Sequence, residues 1–222
     1  MFVIVGWVLV TLCVLGGYVA MGGKLLVLYQ PFELVIIGGA GVGAFLTANP
    51  KWVLSKAGKG VKAALKGPVH KKEDYIELLS MMYATFKLAK TKGNLALEAH
   101  VENPHESDLF ANFPKFQHDH HAVEFFCDYL RMLTMGTENS HELENLIDQE
   151  LDTHHHEDET VASSIQTMAD GFPALGIVAA VLGIIKTMGS ITEPPEVLGK
   201  LIGGALVGTF LGILLAYGFV AP

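Results

Sequence analysis

Residues 172–222 read FPALGIVAAVLGIIKTMGSI (172–191), TEPPEVLGK (192–200) and LIGGALVGTFLGILLAYGFVAP (201–222). Two apolar segments of 20 and 22 residues flank a nine-residue polar turn that carries Pro194 and Pro195. A helix rises ~1.5 Å per residue, so about 20 apolar residues cross the ~30 Å hydrocarbon core of a bilayer. The stretch predicts a transmembrane hairpin. Small residues crowd both halves: Ala174, Gly176, Ala179, Ala180 and Gly183 on one, Gly203, Gly204, Ala205, Gly208 and Gly212 on the other. They let helix backbones approach closely, which a helix facing lipid does not need. Ordinary helix packing uses the same residues, but their density on both helices points to a tightly packed assembly or pathway.

Outward from this hairpin the chain keeps the same character. Of its 222 residues 50% are hydrophobic, and the mean hydropathy is +0.39. Soluble domains lie well below that, so the composition implies an integral membrane protein. A net charge of −8 argues against a nucleic-acid partner, for which a basic surface is expected. Cys13 and Cys127 form no C-x-x-C or framework spacing, and neither a disulfide nor zinc is suggested.

Met1–Met21 is apolar and uncharged, without the basic start and small-residue cleavage site of a signal peptide, and reads as a retained first span. Phe32–Ala48 reads as a second, with Glu33 at its outer end. Seven lysines then fall within 22 residues, from Lys51 to Lys72, with no acid among them. Cytoplasmic flanks collect Lys and Arg, which places this run inside the cell and, with four spans, both termini inside too. The expected organisation is a first hairpin (1–49), a helical cytoplasmic domain (50–171) and the second hairpin (172–222). The fold class is all-α, a polytopic membrane protein with four transmembrane helices.

The domain between the hairpins punctuates clearly. Glu73–Lys92 carries apolar residues near a helical period, with Gly93 as its stop. Asn103-Pro104 and Phe113-Pro114 mark short pieces. His121–Met135 predicts a helix that ends at Gly136. Asn139 followed by Glu142 resembles a capping box opening a long helix toward Asp170. That helix is acidic: Glu138, Glu142, Glu144, Asp148, Glu150, Asp152, Glu157, Asp158 and Glu159 face no Lys or Arg between 138 and 160. It is either a solvated face or a docking surface for a charged partner. The clusters His118, His120, His121 and His154–His156 do not converge, since successive helical residues point ~100° apart, and no metal site is expected. Pro173 is expected in the first turn of the third span, where a missing N–H costs nothing.

Ionisable groups inside a membrane are functional candidates by default. The sequence offers few. Glu33 sits at the end of its span, Lys186 falls near the outer interface, and no carboxylate lies between Phe172 and Ile185 or in the fourth span. A relay needs a titratable or ligating group at mid-depth. The expectation is that a partner helix supplies it and that this chain contributes small residues and the hydroxyls of Thr209 and Thr187. No Walker A, G-x-S-x-G or H-E-x-x-H pattern occurs, so neither an enzyme nor a cofactor is expected.

The segments 16–45 (GGYVAMGGKLLVLYQPFELVIIGGAGVGAF), 74–79 (DYIELL), 95–110 (LALEAHVENPHESDLF), 128–136 (DYLRMLTMG), 169–190 (ADGFPALGIVAAVLGIIKTMGS) and 201–222 together resemble the MotA-type flagellar stator proteins of the MotA/TolQ/ExbB superfamily. The resemblance runs the length of the chain. It implies a homo-oligomer of five copies around two copies of MotB, a single-span partner with a membrane aspartate. Ion flow past that aspartate would turn the ring against the rotor protein FliG, in the bacterial inner membrane. By the resemblance, Pro173 and Pro222 couple protonation to movement, Thr209 is the channel-side threonine, and Lys90 and Glu98 face the rotor, with Glu150 at a further acidic position. Lys90 stands where the family commonly has Arg, which keeps the charge and loses the bidentate fork. Ala180 stands where sodium-driven relatives carry threonine. It offers no oxygen to a hard cation, so protons are the expected ion. Family members carry a cytoplasmic tail after the fourth span, so the chain is expected to be lacking one. An ExbB/TolQ-like energiser of outer-membrane processes is the alternative; those relatives typically have three spans. A solute transporter would show repeated halves, which are absent.

Overall fold

The computed structural model describes residues 2–67, 70–136 and 139–221; Glu138 and Pro222, both named above, lie outside them. Every regular element among the described residues is helical: α1 (Phe2–Ala20), α2 (Leu25–Leu28), α3 (Pro31–Ala48), α4 (Lys51–Lys66), α5 (Lys72–Lys92), α6 (Glu98–Glu102), α7 (Pro114–His118), α8 (His120–Thr134), α9 (Ser140–Met188) and α10 (Pro195–Leu214), with short 3-10 turns between α5 and α7. Four helical stretches are long and apolar enough to cross a membrane: Phe2–Ala20, Leu25–Ala48, part of α9, and Pro195–Val220. The protein is an all-α, multi-pass membrane protein.

Contacts divide the chain into two compact units: Met1–Gly67 with Glu157–Pro222, and Pro68–His156. Residues 51–67 and 157–171, expected from sequence in the polar domain, pack with the spans in this division. The reason is α4. Its Val53 and Ala57, one helical turn apart, are buried against Val161, with Phe45 and Ile165 beside them. Lys56 Nζ closes the contact on Glu157 at 2.6 Å. Five of the seven lysines, Lys51, Lys56, Lys59, Lys62 and Lys66, are therefore one face of an amphipathic helix, a pattern the charge count concealed.

In the first unit, α3 meets α9 where Phe172 covers Gly41; a Cβ there would stand 2.5 Å from the Phe172 ring. Trp7 of α1 donates from Nε1 to the Phe219 carbonyl at 3.1 Å. After Leu214 the last helix widens into a π-helical stretch, Leu215–Val220.

Pro173 corrects the expectation of a helix start: it lies inside α9, 33 residues past Ser140. It removes the N–H that would reach the Ala169 carbonyl and normally breaks a helix, at ~3 kcal/mol or more. Here Phe172 and Gly176 on either side are clamped against α3 and α10. Membrane helices tolerate prolines where neighbouring helices hold them.

The second unit has its own core of Met81, Leu97, Val101, Phe110, Phe116, Val123, Cys127 and Leu130. The expected stops at Gly93 and Gly136 are present, both at positive φ (83° and 90°), where glycine carries no Cβ penalty. Asn139 caps α9, its Oδ1 accepting from the His141 N–H at 3.2 Å while its amide donates to Glu142 at 2.8 Å. Glu142 thus holds the capping side chain rather than the backbone. Met81 and Thr85 of α5 are fully buried, whereas Tyr75, Ile76, Leu79 and Tyr83 of the apolar row read from sequence are exposed. Thr85 enters the core because its hydroxyl donates to the Met81 carbonyl at 2.9 Å.

Candidate functional site

The contact between α9 and α10 is built from absent side chains. A Cβ on Gly176 would lie 2.8 Å from the Gly208 carbonyl oxygen and 3.3 Å from the Thr209 Cα. One on Gly212 would lie 2.6 Å from the Phe172 carbonyl oxygen, and one on Gly183 2.7 Å from the Ala205 Cβ. Real Cβ atoms do not approach so closely, so the helices touch backbone to backbone along three turns. Ala179, Ala180 and Ala205 are buried in the same seam. Thr209 is half-buried at its edge. Pro173 lies two turns below Ala180 on the same helix, half-buried beside Phe172. Pro222 lies outside the described residues. Thr187 is buried, and its hydroxyl donates to the Gly183 carbonyl at 2.8 Å on its own helix.

Glu33 adds to the sequence reading. The sequence placed it at the outer end of its span, and it stands in the first turn of α3. In the structure it is buried at the α9–α10 seam: a Cβ on Gly208 would stand 2.8 Å from Glu33 Oε2, 3.0 Å from the Ala179 Cβ and 3.0 Å from the Ala180 nitrogen. Position in sequence does not show this, because burial here comes from α10, where Gly204 and Gly208 leave room for Gln30 and Glu33.

Two family models match the sequence: Motility protein A N-terminal over residues 4–93, and the MotA/TolQ/ExbB proton channel family over residues 117–222. Motility protein A of Salmonella typhimurium is 43% identical over 222 residues, all of this chain and 75% of that protein. This chain belongs to the MotA/TolQ/ExbB proton channel family. Within that family, Motility protein A of Escherichia coli is 42% identical over the same span, and chemotaxis protein LafT of Vibrio parahaemolyticus 38% over 212 residues, covering 96% of this chain and 74% of LafT. The fold agrees with a C. jejuni MotAB structure (TM-score 0.78, 22% identity, 99% of this chain and 78% of that one) and with the flagellar MotAB stator complex from Bacillus subtilis (0.73, 23%, 96% and 76%).

The remaining residues singled out from the sequence lie in the second unit. Lys90, in the last turn of α5, and Glu98, which opens α6, are both exposed on either side of the Gly93 turn. Glu150 is different. It is half-buried and accepts a hydrogen bond from the Tyr129 hydroxyl, tying α8 to α9. Burial and this bond push Tyr129 up to about 12. No group of three or more metal-ligating side chains gathers among the described residues.

Proposed function

We propose that this chain is a stator subunit of the bacterial flagellar motor, forming with a MotB partner a proton-conducting complex that converts ion flow into torque on the rotor. The observation that carries this reading is the 43% identity to Motility protein A along the whole chain. The seam of α9 and α10 supplies the channel wall. Pro173 and Pro222 act as coupling residues near the partner's aspartate, and Thr209 lines the pathway. Ala180 presents a methyl group where a sodium site would need an oxygen, which favours protons. Lys90 and Glu98, both exposed and flanking the Gly93 turn, meet charged groups of FliG, with Glu150 contributing mainly by holding α8 on α9. The working complex is a pentamer around the partner in the inner membrane, with both termini cytoplasmic. The lysine face of α4 fits that orientation.

The test is motility of cells lacking their own stator, with this chain co-expressed with its MotB-like partner in sodium-free and sodium-containing medium. Swimming without sodium that stops when the proton gradient is collapsed is the expected result. Sodium-dependent swimming would overturn the ion assignment alone, and an intact complex with no swimming in either medium would overturn the stator reading.

A further inference from the structure

Glu33 Oε2 is, among the described residues, the one buried side-chain nitrogen or oxygen with no hydrogen-bond partner. The residue is 9% exposed. Burying a polar group without a partner is costly, and carboxyls that persist inside spans do so for function. Its depth follows from its contacts. Ala180 lies ten residues from Asp170 and six from Lys186, ~15 Å and ~9 Å along α9. Gly208 lies eight residues past Lys200, ~12 Å along α10. Within a hydrocarbon core of ~30 Å, the carboxyl therefore sits inside the core, in its outer half. Those charges, with Lys24 nine residues back on its own segment, are the nearest in sequence on the elements around it; the Gly208 position that Glu33 Oε2 approaches is also flanked by Ala179 and Ala180.

A polar track leads to it. One turn outward along α10, a Cβ on Gly204 would stand 3.0 Å from Gln30 Nε2. Gly204 and Gly208 thus clear a groove into which Gln30 and then Glu33 reach. Thr209 follows directly.

We infer that Glu33 is a proton-binding carboxyl of the ion pathway, supplied by this chain at the seam where Gly208 packs on Ala180. The inference rests on the stator reading above. A hydronium ion arriving past Gln30 gives its proton to the Glu33 carboxylate, forming the O–H bond and leaving water. The proton then passes to the partner's carboxylate, and Glu33 is an anion again.

The experiment measures proton flux through the intact complex of full chain and MotB-type partner in vesicles under a fixed gradient. Glu33→Gln keeps the size and hydrogen bonding of the side chain but holds no transferable proton; Glu33→Asp keeps the proton. Flux falling roughly tenfold or more in Glu33→Gln, the scale of a lost proton-transfer group, and largely restored in Glu33→Asp is the expected pattern, with both variants co-purifying with the partner as the wild type does. Equal flux in wild type and Glu33→Gln overturns the inference and leaves a packing role. A wild-type complex that conducts no protons overturns the stator reading and this inference with it. Should Glu33→Gln not assemble, an apolar carbodiimide applied to the wild-type complex decides: modification at Glu33 that tracks the loss of flux supports the role, and an unmodified Glu33 overturns it.

Discussion

In the unit 68–156 the most buried residues are large: Phe110, Met81, Leu97 and Val101 are all within 1% of complete burial. In the seam between α9 and α10 they are glycines and alanines. The two regions are both close-packed helices, yet each would be ruined by the other's residues. Where water is the alternative, burying apolar area drives packing and large side chains supply it. In lipid the alternative is equally apolar, so helices gain by approaching until backbones touch. The aromatic edges of the first region (Phe110 against Phe116 with ring centroids 5.5 Å apart, and Phe116 against Phe126 at 5.9 Å) have no counterpart in the seam.

Removing volume should break the first region and adding it should break the second. Phe110→Ala opens a cavity in the core and should cost about 3–5 kcal/mol, read by denaturant unfolding followed through the helical signal. The milder swap, Phe110→Leu, should cost far less, since most of the volume remains. Gly212→Ala puts a methyl 2.6 Å from the Phe172 carbonyl oxygen, which is backbone and yields poorly. Overpacking of this kind costs about 1–3 kcal/mol and should appear as lower thermal stability of the detergent-solubilised complex. If Gly212→Ala proves neutral while Phe110→Ala is severe, the seam is looser than its geometry and the contrast weakens.

Two smaller effects sharpen the picture. Burial pushes the Cys127 thiol up to about 11. It should resist maleimide at pH 8 in the native protein and react readily once unfolded in urea, which mass spectrometry reads directly. Asp74, at the start of α5, accepts from the Lys71 N–H at 2.7 Å and pairs with Lys115 Nζ at 2.7 Å. The hydrogen bond from Lys115 comes first among the causes that hold its carboxyl below the ordinary 3.8. A lowered folded value means the contribution is present above the ordinary value and lost as pH falls through the lowered one. Asp74→Asn should therefore lower the melting temperature by a degree or so at neutral pH, as expected of an exposed pair. The gap between variant and wild type should close in acid.

Much of the architecture is readable in the sequence, and the exceptions have physical causes. The spans, the stops at Gly93 and Gly136 and the cap at Asn139 rest on local chemistry, which sequence displays. The close seam of α9 and α10 is legible because small residues at helical spacing on two consecutive helices are what close backbone contact requires. Pro173 misleads because what holds a proline inside a helix is a neighbouring helix, invisible in a local window. The core face of α5 misleads because apolar residues occupy more than one face, and only the packing partner chooses Met81 over Tyr83. Glu33 is the most instructive: its place at the end of a span says nothing of burial, which comes from the room that Gly208 leaves on a distant helix.

The π-helical stretch at Leu215–Val220 amounts to one residue more than an α-helix of the same rise would hold. An inserted residue turns what lies beyond it by ~100° from where an unbroken α-helix would carry it. Deleting a single residue within the stretch would wind it back to α geometry. Phe219 would swing off Trp7, and α1 would lose its indole tether to the last helix. The length of this segment is thus itself a specification, and an alignment gap of one residue here would signal a different grip on the first span.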